Sequence, residues 1–276
     1  KMSVSRQDSL TFLAAENVYM KGQYTEAKSS MNKYLQNYPN GAYAGDAHFY
    51  LGSVAHNEKD YNAALQEFSK VIGMGSQKYL NDALIYASGI EFDNKNYENA
   101  YKYYQRLNQT ATNVEDKQVG KLGMLRSAQL LNKHKEVVSA ATSLIADAKT
   151  SPEVKNEAIY YRAKSHLADA NKESAIKDLQ LLAKDPRTVF GAEAQYLLAN
   201  VYLQAKDYDK AEAQVMSFMK QGTPHEYWMA KALIVLADAY TGKGDTFQAQ
   251  QYIESLKANY KGTEADISTA IEQRLK

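Results

Sequence analysis

Hydrophobic and polar positions along this chain follow the period of an α-helix in seven successive segments. In each segment a small residue, Ala or once Val, is followed four and seven residues later by apolar or aromatic groups. Spacing of i, i+4 and i+7 places side chains on one face of an α-helix and is not typical of a strand. We call the small residue the anchor. The seven triplets, each starting with its anchor, are Ala27/Met31/Tyr34, Ala64/Phe68/Val71, Ala100/Tyr104/Leu107, Val137/Ala141/Leu144, Ala175/Leu179/Leu182, Ala211/Val215/Phe218 and Ala249/Ile253/Leu256.

The anchors recur at nearly equal intervals, which indicates an internal repeat over the whole chain. Twelve residues before each anchor lies a second position, small in six of the seven segments. Because antiparallel helices approach closely where side chains are small, each segment is predicted to be a pair of helices. A polar motif such as Lys59-Asp60-Tyr61 is predicted to form the turn between the two helices. The second small positions are Ala15, Gly52, Ser88, Leu125, Ala163, Ala199 and Ala237.

Two residue types test this division into helix pairs. Asp and Asn accept hydrogen bonds from free amides at a helix start, so four of them are predicted to begin second helices. Proline inside a helix costs about 3 kcal/mol, so all four prolines are predicted to lie outside helices, between the pairs. The predicted first-turn residues are Asp60, Asn96, Asp207 and Asp245, and the prolines are Pro39, Pro152, Pro186 and Pro224.

This pattern resembles the tetratricopeptide repeat family, and the second segment, with Leu51-Gly52, Ala64 and Phe68, matches best. The resemblance implies an all-α, right-handed superhelical solenoid of about seven helix-turn-helix repeats, closed by a C-terminal helix at 264–276. We expect one domain over residues 1–276. The predicted repeats are 8–44, 45–80, 81–117, 118–155, 156–191, 192–229 and 230–263.

A narrower resemblance covers residues 38–52, with the sequence YPNGAYAGDAHFYLG. This stretch is similar to the linker of bacterial cell-envelope tetratricopeptide proteins, which include outer-membrane assembly lipoproteins and the periplasmic coordinator of the Tol-Pal system. The resemblance implies a periplasmic or envelope-associated protein that organises partners. The chain opens with Lys1, which we expect of a piece of a longer protein.

Composition excludes several classes of function. Lys and Arg number 33 against 32 Asp and Glu, and this balance argues against a nucleic-acid partner, which needs a basic excess. The chain has no cysteine, so disulfides, zinc-thiolate sites and thiol nucleophiles are excluded. No apolar run approaches the ~20 residues that span a bilayer, so we expect no transmembrane segment.

Motifs for chemistry are missing from the sequence. The five histidines fall in different segments, and no His-Glu-x-x-His pair or phosphate-binding glycine loop occurs. We therefore expect no metal, no cofactor and no catalysis within these residues. An enzyme whose catalytic part lies outside this piece is a further hypothesis.

The family resemblance implies where a partner binds. The first helix of each pair lines a concave groove, at positions that we number −15, −11 and −8 by counting back from the anchor. We predict that these positions bind a peptide segment or a helix of a partner protein, because aromatic residues with polar neighbours are typical of recognition surfaces. The predicted contact residues are Phe49, His56, Phe92, Arg126, Gln129, Tyr160, Lys164, Tyr196, Asn200 and Asp238.

Two other interpretations of the aromatic positions stay open. The chain has 22 tyrosines, which could fill gaps between helices. Tyr faces beside Asn, Gln and Asp also suit sugar rings, so glycan or peptidoglycan binding is the alternative function. Pyranose stacking needs an exposed flat ring, whereas peptide binding tolerates a half-buried one. The Lys and Asn clamp with which some family members hold a peptide carboxylate is absent, which argues against chaperone tails as partners.

Overall fold

A computed structural model describes residues 3–75 and 78–276, which form helices joined by short turns and contain no strand. The helices are α1 (Val4–Met20), α2 (Tyr24–Asn37), α3 (Ala44–Asn57), α4 (Tyr61–Met74), α5 (Leu80–Asp93), α6 (Tyr97–Thr110), α7 (Val114–Leu130), α8 (His134–Ala146), α9 (Pro152–Ala168), α10 (Lys172–Ala183), α11 (Val189–Gln204), α12 (Tyr208–Gln221), α13 (Glu226–Gly242), α14 (Thr246–Asn259) and α15 (Ala265–Arg274).

Consecutive helices pack in pairs, and α15 packs on the last pair, so the predicted all-α repeat fold is confirmed. The packed pairs are α1/α2, α3/α4, α5/α6, α9/α10, α11/α12 and α13/α14. The chain divides into two compact units, Lys1–Glu136 (unit 1) and Val137–Lys276 (unit 2). The single domain over 1–276, its repeat boundaries and the handedness of the superhelix stay predictions. Residues 1, 2, 76 and 77 fall within the predicted ranges but outside the described residues. The expectation drawn from Lys1 therefore also lies outside the described residues.

Close crossing of helices explains the small residues. All seven anchors and all seven second small positions are buried. A Cβ atom added to Gly52 would stand 2.6 Å from the ring of Phe68, so only glycine admits this ring at the crossing of α3 and α4. A second close approach of two helices lies outside the repeated small positions. Gly120 and Gly123 of α7 leave room for Tyr104 and the Asn108 backbone of α6.

The turn inside each pair has one conformation throughout. The residue five positions before each anchor has a positive φ, between 54° and 84°. Asp60, Asp207 and Asp245 then accept a hydrogen bond from the backbone N–H three residues later, as predicted. Asn96 precedes α6 as predicted, but its side chain makes no capping bond. The seven turn residues at this position are Gly22, Lys59, Lys95, Asn132, Ala170, Lys206 and Gly244.

One proline departs from the prediction. Pro39, Pro186 and Pro224 lie between helices, but Pro152 is the first residue of α9, where Ser151 caps the helix. The first N–H groups of a helix have no intrahelical acceptor, so a proline at this position loses no hydrogen bond. Proline therefore marks the junction between pairs without always lying outside a helix.

Each unit has its own buried core. In unit 2, α15 packs on α13 and α14 through Ile267 and Ile271, which cover Ile234, Ile253 and Leu256. None of the described helices is both long enough and apolar enough to cross a membrane.

Candidate partner-binding face

The predicted contact residues lie on odd-numbered helices, the first helix of each pair. In unit 1 they lie on α3, α5 and α7, and in unit 2 on α9, α11 and α13. We call the surface formed by positions −15, −11 and −8 of the repeats the odd-helix face, and we describe it separately for each unit.

Aromatic residues at the first position of this face stack on the next repeat. In four repeats, the ring at position −15 packs near-parallel to the ring at position −21 of the following repeat, and these contacts join successive odd helices. The stacks, with their centroid distances, are Phe12–Tyr43 (4.6 Å), Phe49–Tyr79 (4.2 Å), Tyr160–Phe190 (4.4 Å) and Tyr196–Trp228 (5.7 Å).

These stacks bear on the open interpretations of the aromatic positions. Phe49, Tyr160 and Tyr196 are half-buried and each has a neighbouring ring against it, so they pack successive repeats together. Phe92 is also half-buried and meets Tyr97 edge-on at 5.2 Å. Glycan binding at these positions requires an exposed flat ring, so this alternative finds no support in the four predicted aromatic residues.

A buried carboxylate organises the odd-helix face of unit 2. Glu193 on α11 is 6% exposed and accepts hydrogen bonds from the Tyr160 hydroxyl at 2.9 Å and the Lys164 ammonium at 3.4 Å. Burial, followed by the charge and hydrogen bond of Glu193, raises the pKa of Tyr160 above its ordinary value. The predicted residues Tyr160 and Lys164 are thus brought together by a third side chain, which the sequence analysis missed.

Tyr196 and Asn200 continue this face along α11. The Lys231 ammonium of α13 lies over the Tyr196 ring, 5.1 Å from its centroid. Asn200 is half-buried, one turn further along α11, and its amide forms no hydrogen bond with another described residue. An asparagine amide donates and accepts, so it can bind both polar groups of a peptide backbone.

Asp238 lies on α13 and is engaged by the closing helix. Its carboxylate accepts two hydrogen bonds from the Arg274 guanidinium, at 2.7 and 2.8 Å, in a bidentate pair. The helix α15 therefore occupies the position at which we expected a partner. The role of Asp238 as a contact residue stays a prediction.

In unit 1 the face contains a cleft of about 300 Å³. His56 lines it together with Tyr61 of α4 and with Tyr86, Gly89 and other residues of α5. The predicted residues Phe92, Arg126 and Gln129 do not line it. Arg126 on α7 is exposed and Gln129 is half-buried.

The functional residues that the sequence predictions missed lie at positions that recur between repeats. Tyr43, Tyr79, Phe190 and Trp228 all lie at position −21, so a comparison of the repeats at that position would have shown an aromatic column. Glu193 lies at position −18, which is acidic in four repeats, so the same comparison would also have shown an acidic column. Its members are Asp46, Asp82, Glu157 and Glu193. Among the described residues no group of three His, Cys, Asp or Glu side chains is placed to hold a metal ion.

Comparison with known proteins supports the repeat interpretation. The sequence model described as tetratricopeptide repeat matches residues 12–79 and 160–217, somewhat less than half of the chain. No curated protein matches this sequence.

Solved structures are similar to this chain at low sequence identity. A chain of the Naa15/Naa10 complex bound to HypK-THB has a TM-score of 0.60 and 14% identity, over 97% of this chain and 39% of that chain. This protein therefore spans about two fifths of that relative. A tetratricopeptide repeat protein from Parabacteroides merdae has a TM-score of 0.44 and 13% identity, over 97% of this chain and 98% of that chain. Residues 12–79 and 160–217 therefore resemble tetratricopeptide repeats in sequence, and the Naa15/Naa10 structure shares the fold of the chain.

Proposed function

We propose that this chain is a non-catalytic protein-interaction scaffold of the bacterial cell envelope. Its odd-helix face binds a peptide segment or a helix of a partner protein. Tetratricopeptide repeats typically mediate protein–protein interaction, which supports the class of function. The envelope location rests on the resemblance of residues 38–52 to the linker of cell-envelope proteins.

The observation that carries the proposal is the setting of Asn200. Its amide has no hydrogen-bond partner among the described residues, although buried polar side chains earlier on the same helix, Glu193 and Gln195, are hydrogen-bonded. The half-buried Tyr196 ring lies one turn away, with Lys231 above it. An unpaired amide beside an aromatic surface suits a peptide, whose backbone needs polar partners and whose side chains need apolar contact.

Affinity capture with Asn200→Ala tests this proposal. Alanine removes the amide and favours the helix, so the variant is expected to fold like the wild type. Protein recovered from an envelope extract by the wild-type chain is expected to decrease at least about fivefold with the variant, because an interfacial hydrogen bond contributes about 1 kcal/mol. Quantitative mass spectrometry measures the recovery, and titration calorimetry with the purified partner confirms direct binding.

The matched control is Gln251→Ala, which removes an exposed amide from the even-numbered helix α14. This control is expected to recover the partner as well as the wild type does. Equal loss with both variants, or equal recovery with both, would contradict binding at the odd-helix face. Recovery of the same partner from cytosolic extract alone would contradict the envelope location.

A further inference from the structure

The cleft of unit 1 is built from aromatic side chains of three helices. The His56 ring of α3 lies 5.3 Å from the ring of Tyr61 on α4 and 4.9 Å from that of Tyr86 on α5, measured between centroids. Tyr61 and Tyr86 are 46% and 39% exposed, so part of each ring faces the cleft and solvent. The volume of about 300 Å³ is enough to hold one long side chain.

The cleft is lined by a glycine at a position where the other repeats have a side chain. Gly89 lies at position −11 of its repeat, and every other repeat has a side chain at this position. A Cβ atom added to Gly89 would meet no atom within 4 Å, so helix packing does not require glycine here. Glycine in a helix interior destabilises the helix relative to alanine. Gly89 therefore lines the cleft without contributing a side chain to it, although the packing would admit one.

Polar groups around the cleft are unpaired. Tyr61, Tyr86 and Asp93 form no hydrogen bond or ion pair with another described residue. Elsewhere in the described chain, tyrosine hydroxyls commonly donate a hydrogen bond to a carboxylate. The hydroxyls of Tyr61 and Tyr86 have no such carboxylate partner in the part of the chain that the structure describes. The tyrosine–carboxylate pairs elsewhere are Tyr34–Asp8, Tyr50–Glu16, Tyr160–Glu193, Tyr227–Asp266, Tyr240–Glu212 and Tyr260–Glu264.

The charge of the lining favours a cation. Asp93 is exposed at the rim, and the lining contains no Lys or Arg. Lys59 and Lys95 lie in the neighbouring turns but do not line the cleft. The faces of tyrosine rings are negative and attract cations, with a strength that increases as water is excluded.

We propose that this cleft binds the cationic side chain of an arginine or lysine in the partner segment. The alkyl part of the side chain lies against Ile85 and the Tyr86 ring, and the charged end reaches Asp93. This inference rests on the proposed function, because it assigns the chemistry of one residue in the bound segment. It predicts that the partner carries a basic residue where it crosses α3 and α5.

Four peptide mixtures test the inference. Each is a set of dodecapeptides of mixed neutral residues with one fixed central residue, Arg, Lys, Leu or Glu. The complete chain is immobilised, and bound peptide is quantified by mass spectrometry at low salt. Retention of the Arg and Lys mixtures is expected to exceed that of the Leu and Glu mixtures by about tenfold, from one cation–aromatic contact and one ion pair.

Two glycine variants separate the cleft from the fold. Gly89→Met fills the cleft and is expected to remove the tenfold preference. Gly73→Met places the same side chain on α4, where a Cβ atom also meets no atom within 4 Å, and is expected to keep it. Asp93→Asn is expected to reduce the preference to about threefold, because the aromatic contact remains. Circular dichroism checks that the variants keep wild-type helix content.

The outcomes distinguish this inference from the proposed function. Retention of all four mixtures to the same extent, or a basic preference unchanged in Gly89→Met, overturns the cation site and leaves a peptide-binding face. Stronger retention of the Glu mixture overturns it as well. If none of the four mixtures is retained, both this inference and the proposal that the odd-helix face binds an extended peptide segment are overturned.

Discussion

At the scale of the residue, the left-handed backbone in each turn gives a direct prediction. Ala170 has a φ of 57°, a conformation that costs an L-residue about 1–2 kcal/mol. Glycine stands at the same place in the first and last pairs, as Gly22 and Gly244. Ala170→Gly is expected to raise the free energy of unfolding by about 0.5–1 kcal/mol, since relief of strain exceeds the added entropy of the unfolded chain. Urea denaturation followed by circular dichroism measures the change.

The control for this prediction is the same substitution at an ordinary backbone angle. Ala205 ends α11 with a φ of −80°, so Ala205→Gly relieves no strain and is expected to decrease stability by about 0.5 kcal/mol. Stabilisation by both variants, or by neither, would contradict the strain argument. The sequence predicted this turn from its Lys-Asp-Tyr phrase, but not its backbone angle, because Lys, Asn and Ala stand where glycine is expected.

At the scale of the element, the closing helix is predicted to stabilise unit 2. Ile267 is fully buried against the cluster that contains Ile234, Ile253 and Leu256. Ile267→Ala is expected to decrease the free energy of unfolding by about 2–4 kcal/mol, from lost burial and the cavity left behind. Thermal unfolding measures this. Thr269→Ala, on the exposed side of α15, is expected to change stability by less than about 0.5 kcal/mol, because it removes no buried contact. A comparable loss with this control would show that the effect of Ile267→Ala does not come from burial.

The element scale also shows what the sequence could and could not predict. Helix pairs followed from the anchors, because a buried small residue such as Ala64 recurs at fixed spacing in each segment. The register between successive odd helices did not follow from the anchors. The stacking of Phe49 on Tyr79 and the hydrogen bond from Tyr160 to Glu193 depend on how neighbouring repeats are placed, and single-segment periodicity contains no information on that placement.

At the scale of the whole molecule, tyrosine hydroxyls bonded to carboxylates recur in both units and make stability depend on pH. In unit 1, burial and a hydrogen bond to Asp8 raise the pKa of Tyr34 well above the ordinary range. Burial and hydrogen bonds to Tyr79 and Glu16 raise the pKa of Tyr50 in the same way. In unit 2, the hydrogen bond to Asp266 together with burial raises the pKa of Tyr227 to about 12. Such hydroxyls ionise at a higher pH in the folded chain than in the unfolded chain. Their contribution to stability is therefore complete below the unfolded value of about 10 and is lost as the pH rises through the folded pKa.

The chain is therefore expected to lose stability steeply above pH 10. Each late-ionising hydroxyl adds a slope of about 1.4 kcal/mol per pH unit, because the unfolded chain releases a proton that the folded chain retains. Absorbance at 295 nm is expected to show one group of tyrosines ionising first and a second group ionising together with the loss of helical circular dichroism. Tyr50→Phe removes one such hydroxyl and keeps the ring, so its unfolding free energy should decrease less steeply with pH. Ionisation of all 22 tyrosines in one step near pH 10, with helix content retained, would show that the carboxylate pairs do not hold these protons.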